Sequence, residues 1–259
     1  MTVPHMADGA RKLALRLTPE QHTAFQRYRD ELVAWNARVN LTAITDDWGI
    51  QIKHFLDSVS CIKGIFSYGG QASSSVPGQL RRTSAGADWP EISLVDVGTG
   101  AGFPGVPLKI VCPSLRLTLI EATGKKVEFL KHLVATLDLR NVTVLKARAE
   151  DVGQDSAYRE QHDFAVARAV AEMPTLVEYL LPLVKVGGKV LAQKGESAPA
   201  EVASAEKAIH HLGGRLDRLL PLELHGIAET RYLVMIDKVA ATPERYPRRP
   251  GLPAKRPIR

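Results

Sequence analysis

The most constraining stretch of the chain is LVDVGTGAGFPG, Leu94 to Gly105. An apolar run ends at Val97. Glycines then alternate at Gly98, Gly100 and Gly102, ahead of a helical segment containing Pro104 and Pro107. Glycine there permits a tight turn and lets the backbone approach a ligand closely. A strand running into such a loop and then into a helix marks the ligand crevice of an open α/β sheet, beyond the carboxyl ends of its strands.

The pattern around this loop supports that reading. Ile92–Val97, Leu115–Ile120, Val142–Leu145, Asp163–Ala167 and Gly188–Gln193 read as strands. Lys125–Leu137, Met173–Val184 and Pro199–Leu212 read as helices. Alternation of this kind predicts a parallel sheet with helices on both faces. Arg215–Leu220 and Tyr232–Val239 are late strands too close together for a crossover helix, so they should pair antiparallel. The predicted fold class is a doubly wound, mostly parallel α/β sheet with an antiparallel last strand. That ending fits the methyltransferase version of the fold better than a dinucleotide dehydrogenase.

Three further segments flank the sheet. Residues 1–68 predict an N-terminal helical lobe. Thr18-Pro19-Glu20 is a helix start, and Phe25, Tyr28, Leu32, Trp35 and Val39 form one apolar face. A second helix is expected over about Trp48 to Phe66. Residues 69–90 hold 13 Gly, Ser, Ala or Pro among 22, too little apolar surface to order themselves, and read as a flexible insertion. The sheet domain is then 91–242. Residues 243–259 form a basic tail with six Arg or Lys against Glu244, which carries five of the chain's +6 net charge. The body is nearly neutral. Two cysteines, Cys61 and Cys112, exclude a disulfide framework and lack metal-ligand spacing. No run is long enough to cross a membrane and the N-terminus does not read as a signal peptide, so a reducing, cytoplasmic setting is expected.

Several residues bear on the ligand. A dinucleotide fingerprint wants glycine at 103, which is Phe103 here. The ring argues against a pyrophosphate on the helix N-terminus and suits a nucleoside under an apolar lid. Asp96 is placed to order the glycine turn. Glu121 ends the second strand, 23 residues after Gly98, where a carboxylate accepts from both hydroxyls of a ribose. Dinucleotide and S-adenosylmethionine enzymes share that contact, so it does not choose between them. Ala149-Glu150-Asp151 follows the third strand, a natural place for adenine-edge contacts or a plain helix start. Arg168 follows the fourth, where it could bind a carboxylate or phosphate or join a surface ion pair.

Taken together the motifs are identifiable. VDVGTGAGFPG, WNARVNLTAI (Trp35–Ile44), KHFLDS (Lys53–Ser58), EATGKKVEFL (Glu121–Leu130), ARAEDV (Ala147–Val152), ARAVAEM (Ala167–Met173), LAQKG (Leu191–Gly195) and RYPRRPGLPAKRP (Arg245–Pro257) run in order along most of the chain. The set resembles the family of bacterial 16S ribosomal RNA (guanine-N7) methyltransferase G, also called glucose-inhibited division protein B. The resemblance implies S-adenosylmethionine as cofactor. It implies that Gly98, Gly100, Phe103, Ala149, Glu150 and Arg168 contact it or line its pocket, with Glu121, Ala122 and Thr123 at the ribose. The expected reaction is methyl transfer to N7 of a guanosine in 16S ribosomal RNA or the small subunit, by a monomer without a metal. Guanine N7 carries a free lone pair and no proton, so no catalytic base is expected. Cytosine C5 chemistry would need a cysteine near the fourth strand, and Asp163–Thr175 has none. The tail cations Arg245, Arg248, Arg249, Lys255 and Arg256 are expected on the RNA backbone. Competing readings are another RNA or small-molecule methyl acceptor, a nicotinamide-dependent oxidoreductase, and a noncatalytic RNA-binding protein.

Overall fold

The computed structural model describes residues 3–68, 91–224 and 226–258. The expected insertion at 69–90 lies outside them. The sheet has seven strands: β1 (Ser93–Val97), β2 (Arg116–Glu121), β3 (Val142–Lys146), β4 (His162–Arg168), β5 (Val184–Lys194), β6 (Gly214–Leu222) and β7 (Arg231–Lys238). Their order across the sheet is β3-β2-β1-β4-β5-β7-β6. Pairing is parallel from β3 through β5, and β7 runs antiparallel to both β5 and β6. The chain steps outward from β1 to β2 and β3, then crosses back to lay β4 on the other side of β1. That makes the β1/β4 boundary the switch point at which such sheets bind ligands.

The expected elements appear with small shifts at their ends. Leu94, Val95 and Val97 are buried on β1, as are Phe164 to Ala167 on β4. Helices on both faces are α6 (Gly105–Val111), α7 (Gly124–Thr136), α8 (Ala149–Gln154), α9 (Met173–Leu180) and α10 (Ala198–His211). The two faces bury separate apolar clusters. One contains Leu94, Leu117, Phe129 and Phe164, and the other Val95, Ile120, Leu176 and Val190. Alternation along each strand splits its side chains between them.

The lobe comprises α1 (Pro4–Lys12), α2 (Pro19–Val39), and a helical run of α3 (Asp47–Gly49), a π-helical segment Ile50–Leu56 and α4 (Asp57–Val59), then α5 (Ile62–Tyr68). Thr18 caps α2 as expected, and Gln21 completes a capping box. The second helix expected over Trp48–Phe66 is broken at Ser60-Cys61 and wound wider in its middle. Such π turns re-aim side chains, here within the KHFLDS motif. Gln21 Nε2 donates to the carbonyls of Ile110 and Val111 at the end of α6, Trp35 packs on Phe129 of α7, and His132 meets Glu31 at 2.7 Å. The lobe is therefore joined to the sheet domain by one continuous core.

The tail departs from the expectation of an arm beyond the fold. Tyr246, Pro247 and Pro253 are buried, and a short helix, α11 (Leu252–Lys255), closes the chain. Gln154 Nε2 donates to the carbonyls of Glu244 and Pro247, and Arg159 to those of Thr242 and Tyr246. Prolines and buried acceptors hold the segment against α8 and α9. Among the described residues no helix is long and apolar enough to cross a membrane.

Candidate cofactor site

Four neighbouring strands end at one place. β1 delivers Gly98, β2 Glu121, β4 Arg168 and β5 Gln193. The register pairs Val97 with Ile120, Asp96 with Val166 and Arg168 with Gln193. Gly98, Gly100 and Gly102 all have φ between +61° and +102°, a region costly for any residue with a Cβ. A Cβ on Gly98 would also meet Val170 Cγ2 at 2.8 Å. On Gly100 it would meet only the Gly98 carbonyl, at 4.0 Å. The loop is thus tight on one side and open at its crest.

Two carboxylates hold the loop. Asp96 Oδ2 accepts from Thr99 Oγ1 at 2.6 Å and from Gly105 N at 2.8 Å, so Asp96 orders the glycine turn as expected. Its Oδ1 is buried and has no partner among the described residues. Burial pushes the Asp96 carboxyl up to about 6. Glu121 Oε2 accepts from Gly100 N at 3.0 Å and Oε1 from Thr123 N at 2.8 Å. Glu121 therefore joins the crest of the loop to the start of α7. Ala122 and Thr123 beside it are exposed.

The lobe closes the other side. The Tyr28 hydroxyl donates to the Ala101 carbonyl at 2.6 Å. Phe103 is sandwiched between His54 (ring centroids 4.5 Å apart) and Tyr28 (5.3 Å), with the Arg168 guanidinium 4.9 Å from its centroid. Arg168 Nη1 pairs with Asp57 Oδ2 at 3.0 Å and donates to the Lys53 carbonyl. Its Nη2 lies 3.2 Å from His54 Nδ1. A guanidinium only donates, so Nδ1 accepts and the proton sits on Nε2, 2.7 Å from Thr42 Oγ1. Burial, with the Arg168 charge, lowers the His54 imidazole to about 3 and keeps it neutral. Gln193 Nε2 donates to the Asp57 carbonyl at 2.6 Å.

The structure brings Gly98, Gly100, Phe103, Glu121, Ala122, Thr123 and Arg168 to the strand ends. The structure departs from four expectations. The Phe103 ring is no lid, because it is buried against Tyr28, His54 and Arg168. Arg168 joins neither a surface ion pair nor an open anion site, because its guanidinium is held on buried protein acceptors. Glu150 does not offer its carboxylate to an adenine edge. That side chain is 4% exposed and accepts from Gly251 N at 2.9 Å, which leaves Ala149 and the backbone of Glu150 at the start of α8. Among the tail cations, Arg248 is paired with Glu178, which is fully buried, at 2.6 Å, so it is not free for RNA. Arg245, Arg249, Lys255 and Arg256 are exposed.

Sequence reasoning missed Tyr28, His54 and Asp57 as parts of this site. KHFLDS held the signal: His54 and Asp57 are spaced i, i+3 and share a helical face. Tyr28 read only as one of an apolar stripe.

The comparisons agree with this architecture. The family model described as rRNA small subunit methyltransferase G (GidB) matches residues 84–223. The chain is 51% identical over 253 residues to Ribosomal RNA small subunit methyltransferase G of a Roseiflexus species, covering 98% of each chain. It is 41% identical to the protein of that name from Alkaliphilus metalliredigens over 254 residues, again 98% of each. A solved 16S rRNA adenine-N1 methyltransferase from Catenulisporales acidiphilia shares the fold, with TM-score 0.50 and 16% identity over 58% of this chain and 86% of that one. The strand order, the glycine loop and near-full-length identity together show that the chain belongs to the rRNA small subunit methyltransferase G family.

Proposed function

We propose that the protein transfers the methyl group of S-adenosylmethionine to N7 of a guanosine in 16S ribosomal RNA. The observation that carries this reading is the glycine loop held between Asp96 and Glu121 at the switch point, in a chain of this family. The residues fit the cofactor. An orphaned buried acceptor, Asp96 Oδ1, lies under the loop, the crest at Gly100 is open, and Glu121 at the end of β2 keeps a second lone pair on each oxygen for a ribose, beyond its bonds to Gly100 N and Thr123 N. When bound, the cofactor supplies a methyl group made electrophilic by its sulfonium.

The protein's part is binding and placement. Gly98 and Gly100 let the main chain approach. Glu121 fixes the ribose end together with Ala122 and Thr123, Ala149 and the Glu150 backbone face the base, and Arg168 braces the floor through Asp57 and Phe103. Guanine N7 needs no proton removed, so alignment of donor and acceptor at near-attack distance carries the rate. In an A-form helix N7 faces a deep, narrow groove, so the target guanosine lies in a loop or in RNA opened during assembly. Arg245, Arg249, Lys255 and Arg256 are the tail cations offered to the RNA backbone.

The test is incubation of the purified protein with methyl-labelled S-adenosylmethionine and small-subunit RNA, naked and assembled. Label in RNA is expected, and Gly98→Ala should abolish it. Label in neither form contradicts the reading.

A further inference from the structure

Glu178 sits in α9, whose sequence MPTLVEYL is otherwise nearly all apolar, and its side chain is fully buried. A buried carboxylate without a partner is very costly. Its partner comes from 70 residues away. Arg248 donates from Nε and Nη2 to the two Glu178 oxygens at 2.9 and 2.6 Å, and its own backbone N–H donates to Oε1 at 2.9 Å. Nη2 also donates to the Arg256 carbonyl at 2.8 Å, folding the tail back on itself. Three residues on, Gly251 N donates to Glu150 Oε1, and Thr175 Oγ1 of α9 reaches the Pro253 carbonyl. A Cβ on Gly153 of α8 would meet Pro247 Cγ at 2.7 Å. The tail therefore touches both ends of α8, and its seat is the Arg248–Glu178 pair.

We propose that Arg248 is a positioning residue for the cofactor pocket. Pairing with Glu178 seats the tail as a strap, and the strap's Gly251 N–H holds the Glu150 side chain. This fixes the Ala149-Glu150 corner whose backbone faces the adenine. The proposal rests on the reading that this corner lines the S-adenosylmethionine pocket.

The test uses the full chain and S-adenosylhomocysteine as the calorimetric probe, with amide exchange and steady-state methyl transfer alongside. Arg248→Ala should weaken binding roughly tenfold and speed amide exchange over residues 149–154, leaving exchange at 98–102 unchanged. It should raise KM for S-adenosylmethionine more than KM for RNA. Arg248→Lys supplies a point charge in place of a fork and should recover part of the affinity. If Arg248→Ala does not fold, Arg248→Lys and Glu178→Gln take its place, and wild-type affinity in both overturns the strap. A folded Arg248→Ala with wild-type affinity, or with only its RNA KM raised, also overturns it. Wild-type protein that binds no probe would sink the cofactor reading itself, a result distinct from these.

Discussion

Asp57→Asn tests whether the lobe is locked to the sheet through Arg168. The Arg168 and Asp57 side chains are only 14% and 6% exposed, so solvent screens the pair little. Removing one member of a buried pair typically costs about 3–5 kcal/mol, because the other charge stays behind unpaired. Asparagine keeps one acceptor for Nη1, and the Lys53 carbonyl and His54 Nδ1 remain. The lower end, about 3 kcal/mol, is expected. At about 2–4 °C per kcal/mol for a chain of this size, that is a fall of roughly 6–12 °C in Tm. Asp8→Asn is the comparison, since the Arg11–Asp8 pair is 68% and 60% exposed and is worth under about 1 kcal/mol. Urea unfolding at pH 7 gives both values. The double variant Asp57→Asn/Arg168→Met should regain part of the loss, because it removes the stranded charge. Equal, small losses for Asp57→Asn and Asp8→Asn would refute the lock.

Other outcomes follow from the same geometry. Gly98→Ala places a Cβ at positive φ and against Val170; it should cost at least about 1–2 kcal/mol and weaken cofactor binding in a calorimetric titration. Asp96 is raised to about 6 from 3.8, so the folded protein binds the extra proton and this group adds stability as pH falls from 6 toward 4. Asp96→Asn should erase that contribution in a pH series of unfolding curves. His54 has the opposite sign: it is lowered to about 3 from 6.5, so stability is lost as pH falls through that window, and a variant without the imidazole should flatten the acid limb. Arg249→Ala/Lys255→Ala removes two exposed cations and should lower the slope of log KM for RNA against log salt by about 1.4, from about 0.7 per contact on single-stranded RNA; an unchanged slope removes the tail from the RNA interface.

The glycine loop, the strand sequence and the antiparallel β7 were legible because each is local. Turn glycines, apolar runs and connection lengths declare themselves within a few residues. The long-range pairings were not. Tyr28 reaches Ala101 across 73 residues and Arg168 reaches Asp57 across 111. Both Tyr28 and Phe103 satisfy an apolar pattern whether they face a ligand or each other. The tail misled for a related reason: prolines and cations look solvated until a buried acceptor is found for them. Glu178, an acid inside an apolar helix, was the visible half of that pair.

What defines this enzyme is the atom that receives the methyl group. The most direct measurement is nucleoside mass spectrometry of small-subunit RNA methylated by the purified protein, with strand scission at 7-methylguanosine to locate the base. 7-Methylguanosine is expected as the single new nucleoside, at one position, and is expected to be absent with Gly98→Ala. Label in any other nucleoside, or in none, would contradict it.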